Sequence, residues 1–186
     1  MVELSESATN PDVLLRVANL TAPVKPVGAL RTQPDPFSSP ASLAQALGLE
    51  RVQGAQIESL RAVHAVVVDL VDCLLAGRPV AEHAERLTRL AHATVATVRL
   101  ESGRDRLVQS RLDWTDPDPA SALARRLIYE LGAIEISRLR RCARPECDLV
   151  FYDDSRSATR RWHAESPCGI RERQRRHRER GRREPA

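Results

Sequence analysis

Ile57, Leu60, His64, Val67, Val71 and Leu74 recur at steps of three and four, along a largely apolar stretch whose charged residues are Glu58, Arg61, Asp69 and Asp72. That period predicts a long amphipathic helix, which Gly77 and Pro79 should stop. A second helical period, with Ala84, Leu87, Leu90 and Ala91 on one face, predicts a helix from Val80 to about Ala96. The short Gly-Arg-Pro connection makes the two antiparallel neighbours. The pattern changes at Thr97. Val98 and Leu100 alternate with polar residues, Ser102 to Asp105 supplies a turn, and Val108, Leu112 and Trp114 follow at even spacing, so a two-stranded hairpin is expected near 97–114. Asp118 and Pro119 then cap a further helix that carries Leu123, Leu127, Leu131 and Ile134 and has the period to run on toward Arg141. Upstream, Ser39 and Pro40 form an N-cap and first-turn pair for a short helix from Ala41 to Leu47, ended by Gly48. Six of the twelve prolines fall at or before residue 40, with no sustained periodicity, which predicts an irregular arm over 1–38. The expected architecture is mainly α with one small hairpin: a helical domain over 39–137 and a small C-terminal module over 138–183.

At 186 residues the chain suffices for one medium core and a satellite. Its formal charge of +4 is divided unevenly: from Arg138 onward fifteen arginines face eight acidic residues, net +7, whereas residues 1–137 carry net −3. Twenty-eight of the 29 basic residues are Arg, a bias that codon usage in a GC-rich genome explains. Their density after Arg171 is the informative part. His64, Asp69 and Asp72 interrupt the most apolar stretch, so no membrane span is expected, and the N-terminus shows no basic n-region of a secretory signal. A cytoplasmic protein is expected, in which clustered thiols are metal ligands or catalytic groups more often than disulfides.

Cys142, Cys147, His163 and Cys168 form two close pairs, C-x4-C and H-x4-C, separated by fifteen residues. Two such pairs across a loop suit tetrahedral Zn²⁺ coordination, and four protein ligands leave no position for a reacting water, as in structural sites. The segment has only Leu149, Val150, Phe151, Tyr152 and Trp162 to bury, so metal binding would have to supply its folding energy. The plain alternative is that these are unconnected packing residues. Cys73, inside an apolar helix, reads as a small buried hydrophobe. His64, His83 and His92 have no ligand spacing and read as core or surface histidines. His163-Ala164-Glu165 with Pro167-Cys168 echoes the zinc nucleobase deaminases, but a second deaminase cysteine would fall at Arg171, so Glu165 is not expected to be catalytic. No phosphate loop, nucleophile elbow or converging titratable set suggests an enzyme.

Ser166-Pro167 predicts the cap of a helix running through Arg180. Arg171, Arg175, Arg178 and Arg182 share one stripe of it, and Arg173, Arg176, Arg180 and Arg183 another. With no apolar face after Ile170, such a helix suits phosphate docking, or is simply a solvated tail that attracts any polyanion. Arg171, Arg173, Arg175, Arg176 and Arg178 are the candidate phosphate contacts, with Arg160 and Arg161 secondary.

Arg141-Cys142, Cys147, Phe151, Asp154-Ser155-Arg156, Arg160-Arg161-Trp162-His163 and Cys168-Gly169-Ile170-Arg171 together resemble the CGNR zinc finger. The preceding helical pair, hairpin and helix are similar to the ABATE domain that accompanies this finger. Val17-Ala18-Asn19-Leu20-Thr21 echoes the family's N-terminal motif, without an evident role. Two residues depart from the pattern: His163 stands where the family has Cys, and Ile170 where it has Asn. The resemblance implies a stress-induced bacterial transcription regulator whose finger binds nucleic acid, RNA included. Read together with the ligand spacing and the Arg-rich helix, the chain is expected to hold one structural zinc with Trp162 packed behind it and to present that helix to DNA, with RNA as the alternative. A homodimer and a small-molecule effector of the N-terminal domain are left open. The rival reading is a zinc-organised module that binds an acidic protein.

Overall fold

A computed structural model describes residues 11–22, 35–92, 95–102, 108–115 and 118–181. Its elements, in order, are α1 (Asp12–Ala18), α2 (Pro40–Leu47), α3 (Ile57–Leu75), α4 (Ala81–Ala91), the strands β1 (Val95–Ser102) and β2 (Val108–Thr115), α5 (Pro119–Ala133), the short strands β3 (Leu139–Arg141) and β4 (Val150–Tyr152), and α6 (Ile170–Gly181). The fold class is mainly α with the β-hairpin that the periodicities predict, and a second, short hairpin of β3 and β4 that they do not. Among the described residues no helix is long and apolar enough to cross a membrane.

Helix α3 is the hub. It packs against α1, α4, α5 and β3, and it buries Leu60, Val63, Val67 and Val71 almost completely. Each such side chain contributes about 1.5–3 kcal/mol by leaving water, which outweighs the modest helix propensity of the five valines in α3. The helix ends where Gly77 takes φ +65°, a left-handed conformation that glycine adopts without a side-chain clash. The caps read from sequence are formed: the Ser39 hydroxyl accepts from the Ser42 N–H at 3.1 Å, and Asp118 Oδ1 from Ala120 and Ser121 at 2.6 and 3.2 Å.

Three boundaries differ from expectation. The arm over 1–38 is not irregular throughout, since Asp12–Ala18 is helical and Leu14 and Val17 are wholly buried in the core. The α4 helix stops at Ala91 instead of about Ala96, and Val95 already begins β1, which pairs antiparallel with β2 through Val98 opposite Leu112. The residues of the predicted turn from 103 to 105 lie outside the described residues. Helix α5 stops at Ala133, well before Arg141, because Ile134 turns to extended backbone. Chain direction then changes into β3, whose Leu139 sits opposite Tyr152 of β4. Leu139 and Val150 join the same hydrophobic cluster as the helices, so this second hairpin is packed onto the helical core.

Pro11 leaves α1 without a side-chain cap of its own. Glu130 of α5, 3% exposed, supplies one from a distance: its Oε2 accepts from the Leu14 N–H at 2.7 Å while Oε1 accepts from Arg126 Nε at 3.0 Å. Glu130→Ala removes both bonds and leaves a buried N–H orphaned. A loss of about 2 kcal/mol is expected, read as a thermal midpoint about 4–8 °C lower. Removing the exposed Arg89–Glu85 pair should change it by no more than about 1 °C.

Candidate metal centre

The hairpin of β3 and β4 continues past its ends through backbone bonds, and these build the first half of the site. The Cys142 N–H donates to the Leu149 carbonyl at 2.9 Å, and the Cys147 N–H closes a turn onto the Arg144 carbonyl at 2.9 Å. The Leu149 N–H in turn donates to the Cys147 sulfur. A bond of 2.8 Å from the Ala143 N–H to the Arg161 carbonyl then fastens the second half of the segment, which carries His163 and Cys168, against the first. Cys168 lies in a wide turn, Glu165–Gly169, that leads directly into α6.

The four expected side chains converge. One ligand atom from each of Cys142, Cys147, His163 and Cys168 lies within 4.8 Å of all the others. The three cysteines are 5, 6 and 2% exposed, and Cys147 Sγ is 3.5 Å from His163 Nδ1. Bonds of about 2.3 Å to sulfur and 2.0–2.1 Å to nitrogen, in a tetrahedron, place those two atoms about 3.5 Å apart. Electrostatics agree with geometry. Burial pushes the Cys147 thiol up to about 12, the neighbouring Cys142 and Cys168 add to the shift, and the Leu149 N–H opposes it. Buried thiols crowded in this way ionise when a cation shares their charge. His163 is held below the ordinary imidazole range by burial and by Arg160 and Arg144, so it is neutral and ready to coordinate at pH 7.

Residues 138–181 match the family model of the CGNR zinc finger. The segment is a zinc finger. No curated protein matches the chain. The donor set, its spacing and its burial fit one structural zinc ion, with Nδ1 as the imidazole ligand and every position filled by protein.

Around the finger's ligands lie groups that sequence reasoning had not singled out. Arg144, 8% exposed, hydrogen-bonds the Cys168 sulfur and Glu146, placing a buried guanidinium beside a site that three thiolates and Zn²⁺ would leave with one negative charge. Asp153 is fully buried. It accepts from the Ser155 hydroxyl at 2.5 Å and from the Ser155 and Arg160 N–H groups at 3.1 and 2.7 Å, which shapes the loop between the two ligand pairs. Burial pushes its carboxyl up, but these bonds and Arg140 outweigh that and hold it below the usual carboxylate range. The signal available in the sequence was an Asp two residues before a Ser, the pattern of an Asx turn. Trp162 and Leu149 pack on the cysteines, as expected for Trp162.

The other candidates separate clearly. His64 is half-buried, 3.3 Å from the Thr21 hydroxyl and packed on the Phe37 ring, while His92 bonds the Thr88 carbonyl at 3.1 Å; neither joins the metal cluster. Cys73 is buried in α3. Glu165 pairs with Arg173 across the turn into α6. That helix starts at Ile170, one turn later than the Ser166-Pro167 pair suggested.

The seven candidate arginines fall into two groups. Glu172, 4% exposed, binds Arg175 through Nε and Nη2 at 3.0 and 2.7 Å and Arg176 through Nε at 3.0 Å. Arg160 pairs with Asp154 at 2.6 Å and donates to the His163 carbonyl at 2.9 Å. Together with Arg173 these four are already engaged. Among the described residues Arg161, Arg171 and Arg178 have no carboxylate partner, nor do Arg156 and Arg180; Arg161 lies over the Trp162 ring, 5.6 Å from its centre.

Because zinc must displace the Cys147 proton, its apparent affinity should fall about tenfold per pH unit for that proton alone as pH drops from about 8 to about 7. The neutral His163 adds nothing in that window. A competition titration with a chromophoric chelator measures the slope, and a pH-independent affinity would contradict the site. Cys168→Ser should abolish stoichiometric zinc by elemental analysis.

Proposed function

We propose that this protein binds nucleic acid, DNA in the first instance, through the zinc finger and α6, and acts as a bacterial transcription regulator whose helical part serves sensing or dimerisation. The observation that carries this reading is the set of arginines that have no carboxylate partner among the described residues. In α6 six arginines stand against two glutamates, and the pairing around Glu172 leaves Arg171, Arg178 and Arg180 open to an outside anion. Arg156 and Arg161, from the loop that Asp153 shapes, add to the same module.

Guanidinium groups bind phosphate bidentately and reach guanine edges in the same way. The ion pairs are not idle in this reading. Glu172 holds Arg175 and Arg176 in fixed geometry, so α6 presents a stiff cationic rod. Arg171 and Arg178 are two turns apart and share one stripe of it. Ile170, 40% exposed, offers only apolar contact where the related family has an amide, which favours backbone contact over base reading at that point. The ABATE likeness and a role in stress response belong to this proposal and rest on sequence resemblance.

The test is a binding titration by fluorescence anisotropy with duplex DNA, single-stranded RNA of equal length and an acidic polypeptide, at two salt concentrations. The zinc-loaded protein should prefer the duplex, with affinity falling steeply as salt rises. Replacing Arg171 and Arg178 together by Gln should flatten the log-log salt slope by about 1.8, since each lost phosphate contact removes about 0.9. Equal affinity for the acidic polypeptide and the duplex would instead favour a protein-interaction module.

A further inference from the structure

We propose that Asn19, at the end of α1 and more than a hundred residues before the finger, is a positioning residue of the zinc centre. Its side-chain amide is paired with the backbone of Val150 on both sides: Nδ2 donates to the Val150 carbonyl at 2.8 Å, and Oδ1 accepts from the Val150 N–H at 2.7 Å. The second bond matters most. The Val150 N–H belongs to the same planar peptide unit as the Leu149 carbonyl, and that carbonyl accepts from the Cys142 N–H at 2.9 Å. A planar trans peptide points its two polar groups in opposite directions, so a grip on one end fixes the aim of the other. One residue back, the Leu149 N–H reaches the Cys147 sulfur. Asn19 therefore orients the short stretch of backbone that contacts both cysteines of the first ligand pair.

Asn19 is itself held firmly. Its N–H bonds the Leu15 carbonyl at 3.0 Å, and α1 is anchored by the wholly buried Leu14 and Val17. A second tether runs parallel to it: Arg141, the residue before Cys142, meets Asp72 of α3 at 2.5 Å. The side-chain chemistry is selective. Asn alone combines one donor and one acceptor at this length. Asp keeps the acceptor and loses the donor, and Leu has the size with neither. Asn19 lies outside residues 138–181, so the shell that supports the metal extends beyond the segment that matches the zinc finger family.

The experiment follows zinc release from the full-length, zinc-loaded protein into excess chromophoric chelator, together with the visible spectrum of the cobalt-substituted form. Asn19→Leu should release zinc about tenfold faster, at the lower end of the effect of losing an outer-shell partner, and should shift the cobalt bands that report ligand geometry. Asn19→Asp should fall between it and the parent, and it serves as the reading if the Leu variant does not fold. Glu130→Ala loosens the same helix at its other end and should release zinc within about twofold of the parent rate, because it leaves the Val150 grip intact. Parent-like release and spectrum in the Asn19 variants would overturn the proposal. Equal acceleration by Glu130→Ala would also overturn it, since zinc loss would then follow general loosening of the helical core.

Discussion

Three buried thiols and one imidazole, brought within 4.8 Å of each other, are the constraint on which the C-terminal part of this protein depends. Without a cation the thiols of such a cluster resist ionisation, as the raised Cys147 thiol records. With one, the same crowding becomes the strongest set of contacts in a segment that has little apolar surface to bury. Structural zinc contributes on the order of 10 kcal/mol or more to small modules of this kind. Here it ties together a hairpin, a long polar loop and the first turn of α6, none of which has a core of its own.

The metal does not act alone. Leu139 and Val150 insert into the helical core, Asn19 grips the Val150 backbone, and Asp72 meets Arg141. The finger is thus built against α1 and α3, and a change in how those helices pack reaches the ligands through two or three bonds. On the far side, Cys168 and the Glu165–Gly169 turn set where α6 begins, and Glu172 sets how its arginines lie. The Glu172 carboxyl is drawn down to about 2 by hydrogen bonds from Arg175 and then Arg176, which prevail over the opposing effect of burial. A depressed folded-state value means that this brace is complete above the ordinary carboxylate range. It is lost only as pH falls from about 4.5 toward about 2.

Much of this was legible in the sequence because it rests on periodicity and spacing. The α3 helix, the hairpin and the four ligands each repeat a simple geometric rule. The short α1 escaped because Pro11 and the prolines beyond it mask seven residues whose helicity comes from burying Leu14 and Val17, a tertiary effect. The end of α4 was misplaced because an alanine-rich run from Ala84 to Ala96 fits a helix face as well as a strand entrance. The roles of Asn19, Arg144 and Asp153 depend on partners 131 residues away, on a turn between ligands and on a buried loop. The motif echo around Asn19 does not point to its partner, and no local pattern marks Arg144. The division of the arginines was also hidden, since helical spacing alone treats paired and unpaired guanidiniums alike.

The central claim is that a single zinc ion organises the finger against an otherwise self-sufficient helical core. Hydrogen exchange measured by mass spectrometry, with and without a chelator, tests it most directly. The account predicts that stripping the metal abolishes protection in β3, β4 and the Glu165–Gly169 turn while α3 and α5 stay protected. Unchanged protection across residues 138–169 after complete metal removal would contradict it.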